Sequence, residues 1–280
     1  MTDVATNATA TASTRKAGHY VYAASVFLLC AWILVPLYFL LINTLSSPEE
    51  VNSFPKSFIP AFNLGSLTFF AGFEGMMSAL KNSVVVAVMT MVLSIIIGAP
   101  AGYALSRFDF RGKELFRLLI LLTRAFPLPL LALPLAVLFI QTGLDDTAFG
   151  LALVHTTLAI PFAVLITFSL FSGIPVELEE AAWTLGCNRF TAFTKVILPL
   201  VLPGITASAI FAFVISWNEV FAAAVLTIEN RTLPAFLLQT LGEAPLHLKF
   251  AGGFILVVPA LIFIFAVRKY LFAMWGIANR

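Results

Sequence analysis

Four polar or charged side chains interrupt long apolar stretches of the sequence and could contact a solute. Trp217, Asn218 and Glu219 are consecutive, and Arg124 stands alone in an apolar run. An indole ring can stack on a sugar, and a guanidinium can bind a hydroxyl-rich or anionic solute. Charges within apolar segments are costly and are therefore functional candidates. Alternatively, Asn218 and Glu219 form hydrogen bonds between helices, and Arg124 extends to the aqueous interface.

No arrangement of residues is typical of catalysis or of a bound metal ion. A phosphate-binding loop needs GxxxxGK followed by Ser or Thr, whereas Gly112-Lys113 is followed by Glu114. Cys30 and Cys187 form neither a disulfide pattern nor a metal-ligand spacing, and the three histidines are scattered. We therefore predict a chain with no catalytic or metal-binding residues, no cofactor of its own and no nucleic-acid partner.

The composition places these side chains in a lipid bilayer. Hydrophobic residues make up 60% of the 280 residues and charged residues 11%, whereas soluble domains average roughly 45–50% and about 25%. A spanning helix needs about 20 mostly apolar residues, and six segments qualify. The sequence thus predicts an all-α membrane protein with six transmembrane helices. The predicted spans are residues 21–42, 82–105, 118–140, 149–171, 198–227 and 250–267.

Proline and glycine residues predict irregularities in two of these spans. The third span contains Pro127, Pro129 and Pro134, which form either the hinge of a gate or a static kink. The fifth is too long for one straight span, and Pro203-Gly204 predicts a bend near its start.

The basic residues predict that both termini lie in the cytoplasm. With the N-terminus inside, the inner segments hold 11 of the 16 Lys and Arg residues and the outer loops hold four. Residues 1–20 are polar and rich in Thr and Ala, so we expect a disordered cytoplasmic tail. The first apolar run is too long for a signal-peptide core and is interpreted as an uncleaved span. In the last outer connection, residues 233–241 are expected to form a short helix.

A polar stretch at residues 177–199 separates the fourth and fifth spans on the predicted cytoplasmic side. Three glutamates follow Pro175 in the first turns of a predicted helix, where the helix dipole favours negative charge. One apolar face of this helix is formed by Leu178, Ala181, Ala182 and Leu185. Gly186 with a positive φ is expected to end the helix, and Asn188 to cap a second one. The stretch is either a surface-lying amphipathic helix or a docking site for a protein.

The same stretch resembles the EAA motif in permease subunits of binding-protein-dependent ABC importers. The family pattern is Glu-Ala-Ala, three residues, Gly, nine residues, Ile, any residue and Leu-Pro. This chain follows it from Glu180 to Pro199, with Val196 in place of Ile. Further matches resemble the carbohydrate branch, and in particular its maltose-permease-like second transmembrane subunit. They are Asn82-Ser83, residues 101–108, Arg111-Gly112-Lys113 and Ser216-Trp217-Asn218-Glu219.

This resemblance implies a fold, a set of partners and a role for the polar stretch. The fold is the transmembrane domain of a type I ABC importer, so residues 21–280 are expected to form a permease domain with a coupling-helix loop at 172–197. The loop docks on a cytoplasmic ATPase. The residues expected at this contact are Glu180, Ala181, Ala182, Gly186, Leu178 and Leu185.

The implied partners are a second permease subunit in a heterodimer, two ATPase subunits that bind ATP-Mg, and a periplasmic or extracellular solute-binding protein. The implied location is the bacterial cytoplasmic (inner) membrane, which the chain crosses several times.

The predicted function is that of a non-catalytic permease subunit that forms half of the translocation path for a sugar or sugar-like solute. A permease for another solute class, such as a polyamine, phosphate or an amino acid, is an alternative. Leu185 leaves this open, because sugar permeases usually have Asp before the motif glycine. A secondary transporter outside the ABC class would predict inverted repeats or ionisable relays along several spans, and the sequence has neither.

Overall fold

The computed structural model describes residues 2–56 and 58–274. Their regular backbone is helical, without a β-strand in this described part, and it contains thirteen α-helices. The helices are α1 (Thr2–Thr44), α2 (Pro48–Asn52), α3 (Gly65–Ala71), α4 (Met76–Arg107), α5 (Lys113–Leu122), α6 (Leu128–Thr142), α7 (Ala148–Ser172), α8 (Glu177–Thr184), α9 (Arg189–Ala192), α10 (Leu198–Asn218), α11 (Phe221–Leu226), α12 (Leu233–Thr240) and α13 (Leu246–Met274). A 3₁₀ turn at Thr123–Ala125 follows α5, and a π-helical turn at Phe193–Ile197 precedes α10.

The first compact unit comprises residues 1–70 and 244–254. Its main element is α1, which is apolar and mostly exposed from residue 19 onward and is long enough to cross a membrane. The Thr44 hydroxyl at the end of α1 donates to the carbonyl oxygens of Leu40 (2.7 Å) and Phe250 (3.1 Å). These bonds tie the end of α1 to the first turns of α13.

The N-terminal backbone differs from the prediction of a disordered tail over residues 1–20. Helix α1 begins at Thr2 and continues without interruption into the apolar span. Alanine, which is frequent in this segment, has the highest helix propensity, and the span already supplies a helical nucleus for further turns. Residues 2–20, for which the polar composition predicted disorder, are therefore part of helix α1.

The second compact unit comprises residues 71–243 and 255–280. Three long helices, α4, α7 and α10, pack against one another at its centre. The part of α13 in this unit stacks Phe263 on Phe213 of α10, with ring centroids 3.7 Å apart. This helical bundle carries every candidate site residue.

Small residues bring α4 close to α7. A Cβ added at Gly98 would lie 2.6 Å from the Ala163 Cβ, and one added at Gly102 would lie 2.6 Å from the Phe168 backbone nitrogen. At the same crossing, the Thr167 hydroxyl donates to the Gly98 carbonyl oxygen over 3.0 Å. The Gly-x-x-x-Gly spacing is typical of close helix contacts in membranes, where small residues let two backbones approach.

The third predicted span is a broken pair of helices rather than one helix. The segments Lys113–Ala125 and Leu128–Thr142 are bent by 87° relative to each other. Phe126 is extended, as expected for a residue that precedes proline, and Pro127 has no N–H group to continue the helix. Pro134 lies inside α6 without ending it.

Five other described helices meet the length and composition of membrane spans, so the chain has five such spans, or six if the bent pair counts as one. They are His19–Thr44, Met76–Arg107, Ala148–Ser172, Arg189–Asn218 and Leu246–Arg268. The chain is therefore a multi-pass membrane protein. Each of these five helices overlaps a predicted span, although Arg189–Asn218 begins and ends nine residues before the predicted span 198–227.

The fifth predicted span is interrupted near its end rather than near its start. Helix α10 is continuous through Pro203-Gly204, and the chain leaves the helix at Glu219. The Glu219 carboxylate accepts hydrogen bonds from the backbone N–H groups of Ala222 (3.0 Å) and Ala223 (3.3 Å). It thereby satisfies free donors at the start of α11.

Asp146, just before α7, ties two connections together. Its carboxylate accepts hydrogen bonds from the backbone N–H groups of Ile228, Glu229 and Asn230, at 2.8–3.2 Å. Burial raises the pKa of Asp146, but the backbone hydrogen bonds outweigh it and hold the pKa below its ordinary value. The connections after α6 and after α11 therefore lie at the same end of the bundle.

Helix α12 confirms the short helix predicted over residues 233–241. The Ser83 hydroxyl accepts a hydrogen bond from the Leu233 N–H at 2.7 Å, and the Asn82 amide donates to the Arg231 carbonyl oxygen at 3.3 Å. The Asn82-Ser83 pair of α4 thus holds the start of α12.

Candidate functional site

The polar stretch folds as two short helices joined at Gly186, as the sequence predicts. Helix α8 ends with two hydrogen bonds, from the Gly186 N–H to the Trp183 carbonyl oxygen (2.9 Å) and from the Cys187 N–H to that of Ala182 (3.0 Å). Gly186 has a φ of 88°. The Asn188 side-chain oxygen then accepts a backbone N–H of α9 at 2.8 Å. The positive φ and the second cap are both confirmed.

One face of this segment is exposed although much of it is apolar. Leu185 is 85% exposed and Phe190 is 76% exposed. Nothing lies within 4 Å of a Cβ added at Gly186, so the glycine bend is open to solvent as well. We call this face the α8 surface. It consists of Leu178, Glu180, Ala181, Leu185 and Gly186. An apolar face of this kind is available to a partner.

The opposite face of α8 packs against the rest of the chain. Ala182 and Glu179 lie on it and are 6% and 3% exposed. Ala182 was expected at the contact with a partner, but it faces this chain's own interior. The reason is the helical repeat, which places residue 182 above residue 179, three positions earlier, and so on the buried face.

A buried ion pair joins α8 to α4. The Arg107 Nε lies 2.5 Å from Glu179 Oε1, and the Tyr103 hydroxyl donates to Glu179 Oε2 at 2.8 Å. The same guanidinium donates to the carbonyl oxygens of Phe171 (3.0 Å) and Ile174 (3.2 Å), next to the end of α7. The two charged side chains are 7% and 4% exposed. Helix α8 is therefore bonded to the ends of two long helices.

Sequence reasoning did not identify this ion pair. Arg107 served there as one of the basic residues that set the orientation, and Glu179 as one of three glutamates near a helix start. The spacing of Glu179 and Ala182 could have indicated a buried side of α8. The partner of Glu179 lies 72 positions away, and no local pattern reveals such a distance.

Trp217 and Asn218 lie in surroundings that differ from each other. Trp217 is 5% exposed, its Nε1 donates to the Leu256 carbonyl oxygen at 3.4 Å, and its ring stacks on that of Phe213, with centroids 5.9 Å apart. Its aromatic face is occupied by this chain. Asn218 is exposed, and its amide donates to the Val214 carbonyl oxygen of its own helix at 2.9 Å.

Glu219 forms a cluster with His155 and Ser216. The buried His155 ring lies with Nε2 3.1 Å from Glu219 Oε2 and with Nδ1 2.8 Å from the Ser216 hydroxyl oxygen. Because both Glu219 oxygens also accept backbone N–H groups of α11, hydrogen bonds between helices account for this carboxylate. His155 was missed in the sequence, where the three histidines looked scattered.

Arg124 lies in the 3₁₀ turn at the break of the third span. It lines a cavity of about 670 Å³ that is mostly apolar but includes Thr123 and Thr157. The guanidinium carbon lies 4.3 Å from the centre of the Phe162 ring in α7. None of residues 217–219 lines this cavity, so the structure does not bring the four solute-contact candidates into one site.

The second unit is thus a bundle of apolar helices with an exposed helix–glycine–helix segment at one end. Residues 92–273 match the family described as binding-protein-dependent transport system inner membrane component. This match covers more than half of the chain, and the chain belongs to that family.

Relatives and one solved structure agree with this assignment. The chain is 35% identical over 202 residues to the trehalose transport system permease protein SugB of Mycobacterium tuberculosis, covering 70% of this chain and 74% of that one. It is 33% identical over 202 residues to the sulfoquinovosyl glycerol transport system permease protein SmoH of Agrobacterium fabrum, covering 72% and 70%. A bacterial ABC transporter that imports the acidic polysaccharide alginate contains a chain with the same fold. The two chains superpose with a TM-score of 0.72 and are 22% identical. The superposition covers 92% of this chain and 97% of that one.

Proposed function

We propose that this chain is a permease subunit of an ATP-driven importer and forms half of the translocation path for a sugar or sugar-like solute. The observation that carries the proposal is the exposed α8 surface beside Gly186, in a chain of the binding-protein-dependent transport family. The proposed location is the bacterial cytoplasmic membrane. The proposed topology has six spans, the third of them broken, and both termini in the cytoplasm.

The α8 surface is the proposed contact through which an ATPase moves the permease. Closure of the ATPase on nucleotide binding displaces α8. The displacement reaches α4 and α7, because the Arg107 guanidinium holds Glu179 and the end of α7 at the same time. The turn at Gly186 keeps α8 and α9 at a fixed angle, so α8 moves together with the start of α10.

The proposed partners occupy the two ends of the bundle. Two ATPase subunits bind ATP-Mg and hydrolyse it at the α8 end, and this chain contributes neither catalytic residues nor a cofactor. A second permease subunit completes the path as a heterodimer. The connections around Asp146 and α12 lie at the other end of α7 from α8, and they supply surface for a periplasmic or extracellular solute-binding protein.

The sugar class is supported by two relatives and by sequence motifs. The relatives named for trehalose and for sulfoquinovosyl glycerol transport are 35% and 33% identical to this chain. Both solutes carry sugar rings with several hydroxyl groups. A translocation path for such solutes needs hydrogen-bonding groups within the membrane, which Arg124 and the threonines beside it provide.

Reconstitution in proteoliposomes tests the proposal. With its ATPase, its second permease subunit and a binding protein loaded with saccharide, the chain is expected to support saccharide uptake and stimulated ATP hydrolysis. The purified chain alone is expected to hydrolyse no ATP. ATP turnover by the isolated chain contradicts the non-catalytic role. A binding protein that accepts only polyamines, phosphate or amino acids contradicts the sugar class.

A further inference from the structure

Arg124 lies beside the middle part of helix α7. It stacks on Phe162, which precedes the end of α7 at Ser172 by ten residues. At 1.5 Å per residue this distance is about 15 Å, roughly half of the 30 Å hydrocarbon thickness. Long basic side chains reach the interface from positions near helix ends. With the end of α7 at the inner interface, Arg124 is placed near the middle of the membrane rather than at that interface.

Arg124 also lacks a counter-charge, as comparison with Arg117 shows. Arg117 lies seven positions earlier on the same side of the chain, stacks on Phe168 of α7 at 4.4 Å, and pairs with Glu114 at 2.9 Å. Arg124 makes the matching stack at 4.3 Å, but within residues 2–56 and 58–274 it has no ion-pair or hydrogen-bond partner. Arg124 is exposed on this chain. Arginines within membrane spans pair with an anionic group or face a water-filled cavity, so a counter-charge for Arg124 would come from outside this chain.

The break in the third span adds positive potential to the same cavity. Helix α6 has 15 residues and begins at Leu128, which lines the cavity together with Arg124. The N-terminus of a helix carries a positive partial charge. Pro129 has no N–H group and the Leu130 N–H donates to the Pro127 carbonyl oxygen at 3.0 Å, so the partial charge rather than free donors favours a negative group in the cavity beside the break.

The polar groups next to Arg124 suit hydroxyl donors. The Thr123 and Thr157 hydroxyls each donate their hydrogen to a carbonyl oxygen of their own helix at 2.7 Å. Their lone pairs remain free to accept hydrogen bonds from a solute. The cavity of about 670 Å³ lies within the range of small-molecule sites.

We propose that the transported solute is an acidic saccharide, and that Arg124 binds its carboxylate or other oxyanion as the solute passes the break in the third span. This inference rests on the proposed importer function and narrows its solute class. Arg124 supplies charge and two parallel donors, the start of α6 supplies further positive potential, and the threonines accept hydrogen bonds from the hydroxyl groups.

The test uses proteoliposomes with the complete importer and a panel of saccharides in matched pairs. Each pair differs by one carboxylate, for example a glucuronic-acid disaccharide and its glucose counterpart. The wild type is expected to transport the acidic members. Arg124→Gln is expected to lower their uptake by about tenfold or more while the complex assembles normally, because a charge-assisted hydrogen bond is lost. Arg124→Lys keeps the charge, and its uptake of the acidic members is expected to lie between those of the wild type and Arg124→Gln.

Arg117→Gln is the matched control, because Arg117 makes the same stack and already has a carboxylate partner. Uptake of the acidic saccharides by the Arg117→Gln importer is expected to stay at the wild-type level. Transport of the neutral members alone overturns the inference and leaves the importer function standing. Unchanged acidic uptake in Arg124→Gln overturns it too. Loss of the second permease subunit from Arg124→Gln would assign the counter-charge to that subunit and would also overturn it. Transport of no saccharide at all overturns the proposed function itself.

Discussion

Glu179 and Glu180 are neighbours in the sequence but differ in what surrounds their charges. Glu179 is buried against Arg107, whereas Glu180 is exposed on the α8 surface. Glu179→Gln leaves a buried guanidinium without its counter-charge, which costs about 3–5 kcal/mol. We expect a correspondingly lower free energy of unfolding, measured by denaturant unfolding in detergent. Glu180→Gln, the control, is expected to change it by less than about 0.5 kcal/mol.

A double variant separates the ion pair from simple loss of packing. Replacing both partners by apolar residues of similar size, as in Arg107→Met with Glu179→Leu, is often neutral at buried sites. The double variant is therefore expected to recover part of the stability that Glu179→Gln loses. Recovery is incomplete because the carbonyl oxygens of Phe171 and Ile174 and the Tyr103 hydroxyl also lose their partners. Equal stability of Glu179→Gln and Glu180→Gln would show that the pair does not hold α8 in place.

Asp146 predicts a stability difference that depends on pH. Its pKa is lower in the folded chain than the unfolded value of about 3.9, so the carboxylate stabilises the fold above that pH. The contribution is lost as the pH falls through the folded pKa. Asp146→Asn keeps a residue that tolerates the positive φ of 50° found here but removes the charge. The wild type is expected to exceed this variant in unfolding temperature at pH 7, and the difference should shrink below about pH 4.

Asp145→Asn provides the comparison for the pH experiment. The Asp145 carboxylate is exposed and has no hydrogen-bond partner among the described side chains and backbone groups. Asp145→Asn removes a carboxylate that makes no hydrogen bond to the described residues, so its unfolding temperature at pH 7 is expected to stay close to that of the wild type. A difference between wild type and Asp146→Asn that stays constant from pH 7 to below about pH 4 would mean that the backbone hydrogen bonds of residue 146 do not depend on its charge.

Individual side chains show what one sequence can and cannot reveal. Glu219 was identified as unusual because a charge in an apolar run is visible locally. Its partner His155 lies 64 positions away and was not identified, so solute contact and helix packing could not be distinguished. The role of Trp217 could not be predicted for the same reason. Its ring stacks on Phe213 and its Nε1 donates to Leu256 of α13, and the sequence does not reveal that this chain occupies the ring in this way.

The crossing of α4 and α7 makes a prediction at the scale of helices. A Cβ at Gly102 would lie 2.6 Å from the Phe168 backbone nitrogen and 2.9 Å from the Val164 carbonyl oxygen. Backbone atoms cannot move aside as side chains do, so Gly102→Ala forces the helices apart and is expected to cost about 1–3 kcal/mol of stability. Denaturant unfolding in detergent measures this cost.

Gly173→Ala is the matched control for the helix crossing. Gly173 has a φ of −76°, and the nearest atom to an added Cβ lies 3.4 Å away. Alanine therefore fits without strain, and stability is expected to change by less than about 0.5 kcal/mol. Equal effects of the two substitutions would show that the close approach of α4 and α7 does not limit stability.

The helices themselves were predictable to different degrees. Spans without interior breaks, such as α4 and α7, follow from length and apolar composition alone. The third span was known to be rich in proline, but an 87° bend and a kink of a few degrees have the same sequence pattern. Pro127 ends a helix and Pro134 does not, because Pro127 follows an extended residue whereas Pro134 lies within a helix already formed.

At the scale of the whole molecule, the α8 surface of this permease chain is exposed rather than covered by the part of the chain that the structure describes. The α8–Gly186–α9 segment was visible in the sequence because its polarity and spacing differ from those of the spans around it. The side of α8 that faces outward was not visible, because alanines at 181 and 182 are equally compatible with either side. The structure assigns Ala181 to the exposed face and Ala182 to the buried one.

Because Ala181 is exposed and Ala182 is buried, the same substitution at these two adjacent positions tests ATPase docking at one and folding at the other. Ala181→Asp places a charge on the α8 surface, where a partner would have to bury it unpaired. It is expected to leave membrane levels and unfolding temperature normal, to abolish co-purification of the ATPase and to stop transport. Ala182→Asp buries the same charge inside this chain and is expected to lower the amount of the protein in the membrane.

Gly186→Val has room for its side chain, but a valine at a φ of 88° is strained by roughly 1–2 kcal/mol. It is therefore expected to weaken ATPase association with less effect on folding than Ala182→Asp. If Ala181→Asp keeps the ATPase and transports normally, the α8 surface is not the coupling contact, whatever Ala182→Asp does.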